Sequence, residues 1–392
     1  MQGRYRLNIT RSTPVERSIR VRQLEGLFDL PPSQRASAKW DVNLDLPDDW
    51  HIGLIVGPSG SGKSTLAGEL FPGCVTQSWP WPERRALIDG FPKGMGIKDI
   101  TGLLSAVGFS SPPSWLKPFR VLSTGEQFRA HVARTLAELP DLAVIDEFTS
   151  VVDRQVARVG CAAVAKAVRR AGSRLVAVTC HYDVLDWLDP DWIYEPHKTK
   201  FQRRRLRGRP PIALEIARVP SNLWELFHAH HYLSGDLSAG AVCFAALLES
   251  QPVAFAAVLH MPHPVAPCYR EHRLVCLPDY QGVGIGSALS EFVGSLFRAT
   301  GKKYFSRTSN PAFVIHRRRS PLWRVAMTPR WGVPAGNSGH SDYAEDFRGR
   351  KRCESLTRLT WSFEYVGPAR PAEARLMGLR IPAVPPLFAE KA

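Results

Sequence analysis

The feature that most restricts this chain is the loop Gly57-Pro58-Ser59-Gly60-Ser61-Gly62-Lys63-Ser64-Thr65, set directly after the apolar run Ile52-Gly53-Leu54-Ile55-Val56. It fits the pattern G-x-x-x-x-G-K-[ST] between a strand and a helix. Glycines let backbone N–H groups close around phosphate oxygens at a helix N-terminus, where side chains would stand in the way. Lys63 is then placed to bring charge to the β- and γ-phosphates of ATP, and the Ser64 hydroxyl to hold Mg2+.

The surrounding pattern extends this unit into a sheet. Asp41–Leu46 alternates as a strand, Pro47-Asp48-Asp49 turns, Val121–Leu139 has helical character, and Leu142–Ile145 and Arg174–Thr179 are short apolar strands. Strands alternating with helices predict a parallel α/β sheet over roughly the first 195 residues. Asp146, at the end of its strand, is placed for the metal shell, and Glu147 beside it to orient or deprotonate an attacking water. The basic, proline-bearing stretch 198–211 reads as a linker between a domain over 1–197 and a second over 212–392. In the second, apolar segments near 212–217, 241–248, 252–260 and 273–277 predict strands, and 285–300 an amphipathic helix.

Bulk composition agrees with two cores in 392 residues, 44% hydrophobic and 22% charged. Lys and Arg exceed Asp and Glu by 51 − 36 = 15, which predicts either an anionic partner or a solvated basic surface. Seven cysteines without a C-x-x-C pair signal neither a disulfide framework nor a zinc site, and suit a reducing cytoplasm. No apolar run reaches the ~18 residues of a membrane span, so the expectation is a cytoplasmic protein without membrane association.

With Leu122-Ser123-Thr124-Gly125-Glu126-Gln127 standing before Asp146, the first half resembles the ABC ATPases, whose signature is L-S-G-G-Q. The resemblance implies that Ser123, Gly125 and Glu126 complete the nucleotide site of a second subunit, and hence an ATP-dependent homodimer. It further assigns His181 as the switch histidine, 150–153 as the D-loop, Gln77 as the glutamine of the Q-loop touching ATP and metal, and Phe28 as an adenine-stacking aromatic. The short stretch between Lys63 and Ser123 and the glutamate in the signature resemble soluble nucleic-acid ATPases more than transport ATPases.

In the second half, Gln281-Gly282-Val283-Gly284-Ile285-Gly286-Ser287 follows an apolar strand and Pro278, and resembles the acetyl-CoA loop of GNAT acyltransferases. Its glycines would expose the N–H groups of Val283 to Ser287 to a pyrophosphate. The resemblance implies acetyl-CoA or another acyl donor as cofactor. Asn310 opens the following helix, but His316 stands where the family often has a tyrosine. His230-His231-Tyr232-Leu233-Ser234, the 306–311 segment and Phe363–Gly367 resemble the Mom-type proteins of phages, which modify adenine in DNA. His231 is a candidate general base, Tyr343 a candidate acid, and Glu271 or His272 a water-holding relay.

Candidate nucleic-acid residues are Arg203, Arg204, Arg205, Arg207 and Arg209, the last two within an Arg-Gly-Arg-Pro core that resembles an AT-hook, and Arg317, Arg318 and Arg319 with Trp323 nearby. The combined expectation is an N-terminal P-loop ABC ATPase domain and a C-terminal GNAT-like α+β domain that acylates or otherwise modifies an amino group of a DNA base. Three alternatives stay open: transfer to tRNA, transfer to a protein lysine, and a second domain that only binds nucleic acid.

Overall fold

The computed structural model describes residues 3–29, 35–203, 211–231, 237–262, 266–328 and 360–382. They divide into two compact units, one formed by Met1–Ile97 and Lys117–Pro210, the other by Lys98–Leu116 and Pro211–Ala392.

In chain order the first half contains β1 (Gly3–Pro14), α1 (Ile19–Leu27), β2 (Arg35–Leu46), β3 (Ile52–Val56), α2 (Lys63–Leu70), β4 (Val75–Thr76), α3 (Ile97–Ala106), α4 (Pro112–Trp115), α5 (Thr124–Glu138), β5 (Leu142–Ile145), α6 (Arg154–Ala171), β6 (Arg174–Thr179), α7 (Val184–Leu188), β7 (Trp192–Glu195) and β8 (Lys200–Arg203). The main sheet runs β4-β5-β6-β3-β7-β8 and is parallel except at β8. Every residue of β3 is buried, as a central strand covered on both faces requires, which is why its sequence is unbroken by polar side chains. Gly53 belongs there because a Cβ would run into the Trp192 ring. The long β1–β2 pair lays Ile9, Val42, Leu44 and Leu46 into the core formed with Trp50, Phe71 and Trp192.

The helices of this unit carry their own punctuation. Asp153 caps α6 by accepting from the N–H groups of Gln155 and Val156, and Gly172 closes it in the left-handed conformation at φ 70. The segment read as a linker begins inside the sheet: β8 pairs antiparallel with β7, and Phe201 packs on Trp192. Arg203 donates to the Asp45 carbonyl and carboxylate on β2, so it ends a strand and is engaged within its own unit. An aromatic residue with a core to enter is enough to pull four residues of a basic stretch into a strand. Arg204, Arg205, Arg207 and Arg209 lie outside the described residues.

The second unit takes in part of α3, all of α4, and then β9 (Glu215–Val219), β10 (Val242–Leu248), β11 (Gln251–Met261), β12 (Cys268–Cys276), α8 (Ile285–Arg298), β13 (Lys303–Thr308), α9 (Pro311–Arg319), β14 (Trp323–Met327), β15 (Trp361–Tyr365) and α10 (Pro371–Leu376). Among the described residues its sheet has seven strands in the order β14-β15-β13-β12-β11-β10-β9, with β12–β13 as the one parallel pair. On one face α8 brings Phe297 against Phe244, Tyr269 and Tyr304. On the other face the helical turns Ser221–Leu226 and His228–His230 set Trp224 and Phe227 on Phe255 and Val275.

The β12–β13 pairing is short. Only Cys268, Tyr269 and Arg270 face partners, Lys303, Tyr304 and Phe305. Beyond them β12 stays paired with β11 alone, and Ser306–Thr308 of β13 pair with β15 alone, so the two strands part from Glu271 onward.

Candidate functional site

The phosphate loop of the first unit has the backbone its sequence predicts. Gly60 and Gly62 take φ 78 and 85, the left-handed region that other residues avoid. Gly62 is constrained twice, because a Cβ there would also run into the Trp40 ring, and the Trp40 indole N–H donates to the Ser61 carbonyl at 3.0 Å. Trp40 is therefore the aromatic side chain resting on this loop, a residue the sequence did not single out. Phe28, the expected aromatic, is 64% exposed at the end of α1. Gly62 caps α2 without a side-chain acceptor, and the buried Ser61 Oγ has no hydrogen-bond partner, so the loop fits an incoming phosphate that accepts from both. Lys63 is buried at the start of α2 with Nζ donating to the Pro58 carbonyl at 2.9 Å, which holds the ammonium over the loop; Ser64 and Thr65 follow it in the first turn.

Around the loop the acidic and polar partners assemble. Gln77 Nε2 donates to Asp146 Oδ2 at 2.8 Å, and the Glu147 N–H to Asp146 Oδ1 at 2.9 Å, so the buried Asp146 carboxylate is fixed from both sides. The Ser64 hydroxyl, Gln77 and Asp146 are a hard-oxygen donor set of the kind Mg2+ takes. Glu147 is exposed and left-handed at φ 54, with its carboxylate accepting from Ser150 Oγ at 2.6 Å, and Thr149 is left-handed at φ 66. Two non-glycine residues in that region within three positions store backbone strain, about 1–3 kcal/mol each, that the surrounding core must hold. The His181 N–H donates to Thr179 Oγ1, and Asp183 next to it ion-pairs with Arg154 at the start of α6.

Ser123 begins α5 in a capping box. Its Oγ accepts from the Glu126 N–H at 3.2 Å, and Glu126 Oε2 accepts from the Ser123 N–H at 3.0 Å. The Glu126 carboxylate, expected to face nucleotide, is thus buried in capping its own helix. Gly125 is buried in the same first turn.

The second glycine loop also ends in an uncapped helix. Gly282 and Gly284 take φ 88 and 99, and Gly284 caps α8 without a side-chain acceptor, leaving the N–H groups of its first turn for a ligand. Gly286 is close to Phe313 of α9, 3.2 Å from a Cβ built there, so this glycine also serves helix packing. Gln281 does not reach toward a ligand: its Nε2 donates to the Cys276 carbonyl at 2.8 Å, and its Oε1 accepts from the Ser110 N–H in the α3–α4 segment of the same unit. The loop and the parted strands fit a pyrophosphate followed by an extended arm.

Arg317 requires a correction. Expected on a phosphate-binding face, it is 1% exposed, with Nη2 donating to Glu271 Oε1 at 3.0 Å and Ser290 Oγ at 2.9 Å, and its guanidinium 4.6 Å from the Trp323 ring. Glu271 also accepts from Ser306 Oγ at 2.5 Å and Ser290 Oγ at 2.5 Å, and Tyr304 donates to it at 3.4 Å. Burial, and then the Glu271 charge, push the Tyr304 phenol well above its ordinary range. Arg318 and Arg319 remain exposed on α9, with Arg318 over Trp361. His231 ends the His228–His230 turn with its ring edge-on to Trp224. Tyr343 lies outside the described residues. His316, at the family's tyrosine position, bonds Glu291 Oε1 at 2.8 Å.

Comparison with known proteins gives a family match and several partial relatives. The family model of the acetyltransferase (GNAT) family matches residues 183–311. An uncharacterized ABC transporter ATP-binding protein of Synechocystis sp. is 32% identical over 158 residues, 33% of this chain, which spans only 24% of that protein. The taurine import ATP-binding protein TauB of Jannaschia sp. is 28% identical over 191 residues, 41% of this chain and 70% of its own. Among solved structures, the dimeric post-hydrolysis ATP-binding cassette MJ0796 bound to ADP and Pi covers 43% of this chain and 90% of its own, at 19% identity and a TM-score of 0.35. The chain has a mixed α/β fold, with a phosphate loop opening α2 in the first unit and a match to the acetyltransferase (GNAT) family model over residues 183–311. Among the described residues no helix is long and apolar enough to cross a membrane.

Proposed function

We propose that the chain is an ATP-hydrolysing protein that transfers an acyl group to an amino group of a nucleic-acid base, DNA first, with ATP-driven pairing of two copies gating the transfer. When bound, ATP supplies the hydrolysable phosphoanhydride. The chain's part is to cradle its phosphates on Gly57–Thr65, to hold the metal with Ser64, Gln77 and Asp146, and to orient water with Glu147. His181 stands at the end of β6 as the partner expected for Glu147, and Ser123 and Gly125 open α5 for a second copy's nucleotide.

The transfer reading rests on the parting of β12 from β13 just before the uncapped N-terminus of α8. An acyl-CoA, when bound, supplies an activated carbonyl. Val283–Ser287 would offer main-chain donors to its phosphates, and the main chain of 271–276, unpaired with β13, would be free to bond its arm. His272 is kept neutral down to about 4 by burial, then by Arg273, Arg270 and His231, and its Nε2 accepts from the Ser238 N–H at 3.4 Å, so it is spoken for and His231 beside it is the candidate base for an attacking amine. The basic excess of 15 and the Mom-type likeness around His231 support a nucleic-acid acceptor.

The gating test is incubation of the protein with DNA, labelled acetyl-CoA and ATP, comparing wild type with Glu147→Gln and Lys63→Ala. The reading expects label in DNA only with wild type, and Gly284→Asp to abolish it. Equal labelling by all three ATPase forms would separate transfer from ATP, and DNA left unlabelled by wild type would remove the acceptor assignment.

A further inference from the structure

The face of the second sheet opposite α8 carries an arginine cluster where β12 and β13 part. Strand alternation fixes which side chains share it. Tyr269, Glu271, Tyr304 and Ser306 face α8, shown by the Phe297 contacts and the Glu271–Ser290 bond, so Arg270, Phe305 and Arg307 face away from it. The register then shifts: Ala257 pairs with Arg273 and Val258 with Glu271, leaving His272 as an extra residue on β12. That bulge returns Arg273 to the same outer face as Arg270, beside Ala257 and Val275, which pack with Trp224 and Phe227. Without it, alternation would have turned Arg273 toward α8.

Three guanidinium groups from two diverging strands therefore share one face, Arg273 at the half-buried His272 and Arg307 beside Arg270. Arg273 Nη1 donates to the His272 carbonyl at 3.0 Å, and His272 Nε2 accepts from the Ser238 N–H at 3.4 Å. Arg270 is held below its ordinary range by burial and then by Arg307. Among the described residues no carboxylate forms an ion pair with Arg270 or Arg307, and Glu271 between them points through the sheet to Arg317. Like charges gathered on a half-buried face raise the free energy of the empty site and favour a compact anion, which arginine meets with paired N–H donors.

We infer that Arg270, Arg273 and Arg307 form a phosphate site on the acceptor side of the parted strands, holding a backbone phosphate of the nucleic acid whose base is modified. This rests on the proposed transfer activity. A phosphate could equally come from acyl-CoA, but the glycine loop lies beyond Cys276, three residues along β12 from Arg273 and six from Arg270, roughly 10 and 20 Å at strand rise, so Arg270 and Arg307 are the part of the site farthest from it. The phosphate contact would fix the backbone next to the base to be presented, positioning without reading sequence.

The test uses the full-length protein and a fluorescent single-stranded oligonucleotide, measuring affinity across salt concentrations together with acetyl-CoA affinity. Arg270→Gln/Arg307→Gln is compared with wild type and with Arg375→Gln, which removes a charge on α10, an element tied to α8 through the Arg370 N–H and Ser295 carbonyl. One lost phosphate contact should lower the slope of log affinity against log salt by about 0.7, with acetyl-CoA affinity and the Arg375→Gln slope unchanged. An unchanged slope in the double variant overturns the site, and so does a loss confined to acetyl-CoA. If wild type binds the oligonucleotide through these arginines but does not bind acetyl-CoA, the transfer reading fails while the phosphate site stands. The conservative double variant Arg270→Lys/Arg307→Lys keeps the charge and should restore most of the slope, which separates a binding role from misfolding.

Discussion

Replacing Arg317 by Met tests whether the buried ion pair organises the second unit. Methionine keeps much of the side-chain volume between Trp323 and Phe313, so little cavity opens, and the change isolates the charge. What remains is the Glu271 carboxylate, whose side chain is 6% exposed, with three hydroxyl donors, Ser290, Ser306 and Tyr304. Losing one partner of a buried pair costs about 3–5 kcal/mol, and the hydroxyls, which partly stabilise the stranded charge, favour the lower end, about 3 kcal/mol. Glu271→Gln in the same background removes that charge and should recover at least about 1 kcal/mol relative to additivity. Hydrogen exchange resolved by mass spectrometry over α8, β13 and α9 of the full-length protein reads both values. Exchange in Arg317→Met within about 0.5 kcal/mol of wild type would show that the pair does not hold these elements together, and the reasoning would be refuted.

Three further outcomes follow from the first unit. Lys63→Ala should lose ATP binding in a fluorescent-nucleotide titration, whereas Glu147→Gln should keep it, slow hydrolysis by about 100-fold or more, and sediment as a dimer when ATP is present. Arg134 lies over the Trp79 and Trp81 rings at 5.4 and 4.8 Å and donates to the Pro80 carbonyl at 2.9 Å, so Arg134→Ala should speed hydrogen exchange over residues 77–82 and reduce ATP turnover through Gln77. His131 is lowered from 6.5 to about 4 by burial and then by Arg134. Its neutral form is the folded one, so the stability it contributes is complete above 6.5 and is lost as pH falls toward 4, about 2 kcal/mol by pH 5. Urea unfolding at pH 7.5 and 5 should show that loss in wild type and a smaller one in His131→Leu; equal losses would contradict it.

How legible each site was depends on how local its causes are. The phosphate loop is a property of nine consecutive residues and their left-handed glycines, and the backbone follows the motif. Asp146 and Gln77 meet because β4, a two-residue strand with no apolar run to announce it, lies beside β5, so the sequence brought Gln77 in only through the family resemblance. The capping box at Ser123 was also readable, since S-x-x-E is its signature, and it removes Glu126 from the residues free to face nucleotide. Arg317 was not readable: its burial depends on Glu271, Ser290 and Trp323 from three other elements, and in sequence it is indistinguishable from Arg318 and Arg319. Trp40 escaped for the same reason, because its contact with Gly62 follows from where β2 lies. The bulge at His272, which turns Arg273 outward, depends on the register with β11 and leaves no mark in the strand's own composition.

The most direct test of the central claim is mass spectrometry of nucleosides from DNA and tRNA of cells expressing wild type beside Gly284→Asp. The account predicts a new acylated nucleoside in DNA with wild type that is missing with the variant. Unmodified DNA from cells whose wild-type protein hydrolyses ATP would contradict it.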